Sequence, residues 1–204
     1  MADKKVKGIK ALKKMLWEEN PVILQILGIC SALAVTNLVK NTFVMCLGLV
    51  FTLVMSSFTV SVLRNLIPRR IRMMVQVLII AAYVIIIKII LDAWLPEISN
   101  QLGPYVGLII TNCIVMGRTE GYAMANKPFD SVLDGLGAAI GYSMVLLPIA
   151  MVREPLGLGT FFGFAVIPPD WTRWNFMVIA PSGFFGLAVY IWVVNSIKGI
   201  EQKR

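Results

Sequence analysis

The chain has 204 residues, 58% of them hydrophobic and 15% charged, with a formal net charge of +8. Soluble domains carry about one-quarter charged residues, so this composition excludes a surface covered by water alone; the apolar residues run in long stretches with short polar breaks, as a bilayer with about 30 Å of hydrocarbon demands. No histidine is present, which removes histidine-zinc, bis-histidine haem and Ser-His or Cys-His nucleophilic chemistry, and the basic residues lack the aromatic-interleaved stripe of a nucleic-acid face.

Residues 1–20 carry Lys4, Lys5, Lys7, Lys10, Lys13 and Lys14. No small-residue cleavage site follows a short apolar core, so no signal peptide is read. The segment is either a basic amphipathic helix, with Val6, Ile9, Leu12, Leu16 and Trp17 on one side against the anionic inner leaflet, or a flexible cytoplasmic tail. Apolar segments follow at 21–37, 41–63, 71–95, 104–116, 132–152 and 176–196. The expected fold is an all-α integral membrane protein with six transmembrane helices. With the N-terminus inside, fifteen of the 19 basic residues are cytoplasmic, against Lys40, Lys88, Arg153 and Arg173. Basic residues near spans stay on the cytoplasmic side, so both termini are assigned there, with 198–204 as a cytoplasmic tail.

Two spans are short. Pro21 to Thr36 reaches about 24 Å and Pro104 to Met116 about 20 Å at 1.5 Å per helical residue, less than the hydrocarbon thickness. Each needs irregular backbone, which at membrane depth survives only where protein buries it or a cavity is lined. The two also match: Pro-Val-Ile-Leu-Gln-Ile-Leu-Gly-Ile-Cys30 and Pro-Tyr-Val-Gly-Leu-Ile-Ile-Thr-Asn-Cys113 superpose at one offset, with Thr36 and Thr119 each six residues after the cysteine. Each opens a group of three spans, 21–97 and 98–197. Three spans per group make the second enter from the opposite face, a 3+3 inverted repeat with short, broken first and fourth helices. Paired short segments in such halves point to an intramembrane site.

The chain has three cysteines. Cysteine is a common small hydrophobe inside helices, and Cys46, with no counterpart in the other half, reads as packing. Cys30 and Cys113 occupy equivalent places. Beyond packing, the pair is open to a disulfide or to half of the Cys₄ ligand set of an iron-sulfur cluster, the other half coming from a second, similar subunit.

The stretches Gly28-Ile-Cys-Ser-Ala-Leu-Ala-Val-Thr36 and Gly107-Leu-Ile-Ile-Thr-Asn-Cys-Ile-Val-Met-Gly-Arg118 closely resemble the D-subunit family of the sodium-translocating NADH:quinone oxidoreductases and its relative, the E subunit of the Rnf complex. Arg64-Asn-Leu-Ile-Pro68, Leu133-Asp-Gly-Leu-Gly137, Val152-Arg-Glu154 and Ala180-Pro-Ser182 support the resemblance along nearly the whole chain. Pro155 and Thr119-Glu-Gly-Tyr122 depart from the family pattern, and Cys30-Ser31, where Rnf relatives carry Cys-Pro, resembles the sodium pump. The resemblance implies a multi-pass subunit of the bacterial inner membrane. In it Cys30 and Cys113 co-ligate one 2Fe-2S cluster with two further cysteines of a paralogous E-type subunit. An electron arrives from an NADH-oxidising cytoplasmic subunit and leaves toward a flavin-bearing one, on the way to ubiquinone, with no complete active site in this chain.

Lys88 and Asp92, four apart on one helix, read as a structural pair, with an ion path as the other reading. Asp134, Arg153 and Glu154 are expected at helix ends among headgroups, and Glu120 at a solvated helix end, with a role facing a partner or an ion as the other reading. Thr111 and Asn112 are candidate donors to the cluster sulfurs. Leu156 to Gly159 lacks the strand and lysine of a phosphate loop and is expected to shape a re-entrant turn. A solute or ion carrier, which also uses broken helices in inverted repeats, and a purely structural scaffold are the competing functions.

Overall fold

A computed structural model describes residues 21–68, 70–94, 103, 107–161, 164–165 and 175–198. The N-terminal segment 1–20, Pro104 and residues 199–204 of the expected tail lie outside the described residues. In chain order the elements are α1 (Pro21–Gln25), α2 (Ile29–Val35), α3 (Val39–Leu63) and α4 (Arg72–Trp94). A helical turn at 107–110 leads to α5 (Cys113–Arg118), which runs on into a π-helical turn (Thr119–Ala123). Then come α6 (Pro128–Leu158), the two-residue strands β1 (Thr160–Phe161) and β2 (Phe164–Ala165), α7 (Asn175–Val178) and α8 (Ala180–Lys198). The described residues are thus helical, apart from an antiparallel ribbon pairing Thr160 with Ala165 and Phe161 with Phe164. Among the described residues α3, α4 and α6 are long and apolar enough to cross a membrane.

The helix breaks have local causes. After α1 the chain turns through Ile26 at φ 52° and Gly28 at φ 88°, and Leu27 N–H donates to Pro21 O at 3.2 Å. Positive φ is a true outlier for a β-branched residue, and the Ile26 side chain is exposed, so the turn is held by its backbone bond and by its neighbours rather than by packing of Ile26 itself. The second break is at Asn112, whose backbone is extended at φ −68°, ψ 122°. The 176–196 segment is also interrupted, at Ile179 between α7 and α8.

Helix α6 outruns the expected 132–152 at both ends. Pro128 at its first turn needs no N–H partner, and Asp130 there suits the positive end of the helix dipole. Pro148 lies inside the helix and cannot donate to Met144 O. Tyr190 Oη from α8 donates to that carbonyl at 3.2 Å, replacing the lost bond. The expected re-entrant turn at 156–159 is corrected: Leu156 to Leu158 complete the helix, Gly159 ends it at φ 72°, and the ribbon follows.

The core is α3 laid along α6. Small residues permit the approach; a Cβ on Gly135 would lie 3.2 Å from Ser57 Oγ and 3.4 Å from Leu53 O. Leu49, Leu53, Ile114, Tyr142 and Leu146 are fully buried there. By contrast α4 buries only a stripe, Gln76, Ile80, Val84 and Ile87, at helical spacing. Its Met74 and Leu78 stay 77% and 70% exposed, apolar surface of the kind a bilayer or a partner covers. Several buried hydroxyls turn back on their own helices, as Thr52 does to Gly48 O at 2.8 Å, and Ser61 donates across to Asn126 O at 2.8 Å. They therefore add no unmet polar group to an apolar setting.

Candidate functional site

Cys30 is the second residue of α2 and Cys113 the first of α5, so each cysteine opens the half-helix that follows a break. Both are free thiols, Cys30 exposed and Cys113 half-buried. Cys46 is buried in the α3 core, where packing accounts for it.

A polar bridge joins the two breaks. Asn112 Oδ1 accepts from Ile114 N–H at 3.1 Å, capping α5. Its Nδ2 donates to Ser31 Oγ at 3.4 Å. Ser31 Oγ in turn donates to Gly28 O at 2.9 Å and shares a short hydrogen bond with the hydroxyl of the fully buried Tyr142. The residue after Cys30 is thereby tied to the residue before Cys113, and both to α6. Gly28 is required twice over: its φ is positive, and a Cβ there would lie 2.8 Å from the Tyr142 ring and 2.9 Å from Ile114 Cδ1. The sequence marked the cysteines but not Ser31 or Tyr142; the only local signal was a tyrosine inside an apolar span. Asn112 is engaged as cap and bridge, and Thr111 Oγ1 donates to Gly107 O at 3.4 Å.

Thr36 and Thr119, the matched threonines, are both fully buried and behave alike. Each hydroxyl donates to a carbonyl four residues back, Ala32 O at 2.5 Å and Val115 O at 2.8 Å.

The expectation of headgroup positions for Arg153 and Glu154 is corrected, since both are buried. Arg153 donates to Thr36 Oγ1 at 2.5 Å, to Met177 O from Nε and Nη2 at 3.2 and 3.1 Å, and to Ile179 O at 3.3 Å. Glu154 accepts from Val39 N–H at 2.6 Å and Thr160 Oγ1 at 3.2 Å. Neighbours in sequence, they grip different elements: the arginine holds the end of α2 to the α7–α8 break, and the glutamate caps α3. Asp134 is likewise buried within the protein, with Oδ1 3.7 Å from Arg118 Nη1. Glu120, just past the end of α5, stays partly exposed but is not without partners: it pairs with Arg72 at 2.6 Å and accepts from buried Gln76 at 2.7 Å. Lys88 and Asp92 both lie on the exposed side of α4.

Among the described residues no three His, Cys, Asp or Glu side chains converge on a metal position. Two thiols are soft ligands, suited to iron or another thiophilic metal, but they complete no four-coordinate site by themselves. The D subunit of the Na(+)-translocating NADH-quinone reductase of Photobacterium profundum is 46% identical to this chain over 198 residues, covering 93% of this chain and 94% of that protein. The family described as Rnf-Nqr subunit, membrane protein, matches residues 8–191. Nine-tenths of the sequence, including both cysteine-bearing breaks, falls inside that match, and the chain belongs to the Rnf-Nqr subunit family of membrane proteins.

Proposed function

We propose that this chain is the D-type membrane subunit of a sodium-translocating NADH:quinone reductase in a bacterial inner membrane, relaying electrons by holding half of a 2Fe-2S centre. The observation that carries the reading is the placement of Cys30 and Cys113 at the starts of two half-helices whose neighbouring residues, Ser31 and Asn112, are hydrogen-bonded. The 46% identity to a D subunit of the sodium pump favours it over an Rnf complex.

The donor set fits half of such a centre. Both thiols are free and accessible on this chain, and the four-thiolate set is completed by two cysteines of a paralogous E-type subunit. When bound, the 2Fe-2S centre supplies one-electron transfer. This chain's own part is to hold two sulfurs ready. The first turn of a helix leaves backbone N–H groups without intrahelical partners, and those of α2 and α5, other than the Ile114 N–H taken by the Asn112 cap, are candidate donors to the sulfurs. The Ser31–Tyr142 and Ser31–Asn112 bonds fix the two turns relative to α6.

The same reading includes six spans in two inverted groups, 21–97 and 98–197, with both termini cytoplasmic. It is supported by the two interrupted helices at matched positions and by the equivalent burial and bonding of Thr36 and Thr119. A flavin-bearing subunit on the outer side takes the electron onward.

The test is iron content of the anaerobically purified complex. Cys30→Ala and Cys113→Ala should each lose the cluster spectrum and quinone reduction. A complex that retained both would end the proposal, and ion or solute flux by the purified single chain in liposomes without NADH would replace it with a carrier.

A further inference from the structure

At the other end of α3 from the Glu154 cap lies a cavity of about 570 Å³, lined by Arg64, Asn65, Ile67, Arg72, Glu120 and Met124. We propose that it binds the phosphate of an anionic phospholipid. The cavity sits where α3 ends at Leu63 and α4 begins at Arg72, two helices that each qualify as membrane spans. The connecting segment therefore lies where hydrocarbon gives way to water. It carries Arg64, Arg69, Arg70 and Arg72 with no Asp or Glu between them. Basic pockets between spans are the usual receptors for anionic headgroups.

The charges in the cavity do not cancel. Glu120 has one oxygen on Arg72 at 2.6 Å and the other on Gln76 at 2.7 Å. Arg64 donates through Nη1 to Asn126 O at 2.7 Å. Among the described residues no carboxylate lies within ion-pair distance of it. A half-buried guanidinium with N–H groups to spare is built to take two oxygens of one phosphate. Apolar residues adjoining the lining in sequence favour the lipid over the free ion: Leu66, between Asn65 and Ile67, is 80% exposed, and Ile71, beside Arg72, 45%. Apolar side chains beside arginines at this level have acyl chains as their natural cover, and free phosphate makes no use of them.

The inference goes beyond the electron relay and does not depend on it. The test uses the intact complex in nanodiscs containing a photoreactive phosphatidylglycerol or the matching photoreactive phosphatidylcholine. Phosphatidylglycerol should label the 64–72 and 120–125 peptides well above phosphatidylcholine, and excess inorganic phosphate should leave the label in place. Arg64→Gln should cut that labelling about fivefold, the effect of one basic residue near an anionic surface. Arg70→Gln, exposed and outside the lining, should cut it less. Equal labelling by the two lipids, displacement by phosphate, a segment of another subunit found covering the cavity, or an indifferent Arg64→Gln overturns the proposal. Should Arg64→Gln fail to assemble, the ratio of the two lipids on the native complex decides.

Discussion

The carboxamide of Asn112 reaches the hydroxyl of Ser31 at 3.4 Å, joining the residue before one cysteine to the residue after the other. The link spans 81 residues of sequence and holds two helix breaks in one place. Asn112→Ala removes both this bond and the α5 cap. Loss of such a cap costs about 1 kcal/mol, so the complex should melt earlier and release iron faster on chelator challenge. Asn112→Asp keeps the cap and should fall between the two in chelator half-time. An alanine variant with native iron retention would show the bridge to be incidental to the proposed centre.

Gly28→Ala should be more damaging than its size implies. A methyl group there meets the Tyr142 ring at 2.8 Å and Ile114 Cδ1 at 2.9 Å, with φ at +88°. Overpacking of this kind costs about 1–3 kcal/mol. The expected outcome is reduced accumulation in the membrane and a lowered thermal midpoint, measured against Gly107→Ala, where a Cβ meets nothing within 4 Å.

Arg153 and Glu154 should resist conservative exchange unequally. Lysine at 153 cannot reach Thr36, Met177 and Ile179 together, because three acceptors in a fork need a planar guanidinium. Glutamine at 154 can still accept from Val39 N–H. Arg153→Lys should therefore destabilise more than Glu154→Gln. Glu154→Ala, which strands a buried N–H, should cost about 1–3 kcal/mol. Thermal unfolding of the detergent-purified complex ranks the three.

The Arg72–Glu120 pair is partly open to solvent, with side chains 27% and 34% exposed. A double-mutant cycle should return a coupling below about 1 kcal/mol, falling with added salt. A coupling several times larger and insensitive to salt would mean that another subunit seals the pair.

Cys46→Ala separates packing from ligation. The side chain is buried in the core, so its truncation should lower stability slightly while leaving iron content and quinone reduction at native levels. Cys30→Ser and Cys113→Ser should do the reverse.

Much of this protein was legible in the sequence because the properties concerned are local. Hydropathy runs placed α3, α4 and the segments around α6 and α8; the deficit in length of 21–36 and 104–116 announced the breaks later found at Ile26–Gly28 and Thr111–Asn112. The match of Cys30 with Cys113 and of Thr36 with Thr119 needed only one offset. The C-terminal extent of α6 was missed because Arg153, Glu154 and Pro155 read as the end of an apolar run, whereas the fold buries both charges and carries the helix on to Leu158.

The positions of the charges were decided only by the tertiary structure. In a soluble chain polarity itself marks the outside, but here apolar residues face both the core and the surroundings, so the pattern of α4 or α6 does not tell which face is buried. A buried ionic group must then take its partner from whichever element lies beside it: a backbone N–H of α3 for Glu154, two carbonyls near Ile179 for Arg153, Gln76 of α4 for Glu120. The composition determined that such groups would have to be satisfied internally; which atoms satisfy them depends on contacts between elements separated by 24 to 115 residues of chain.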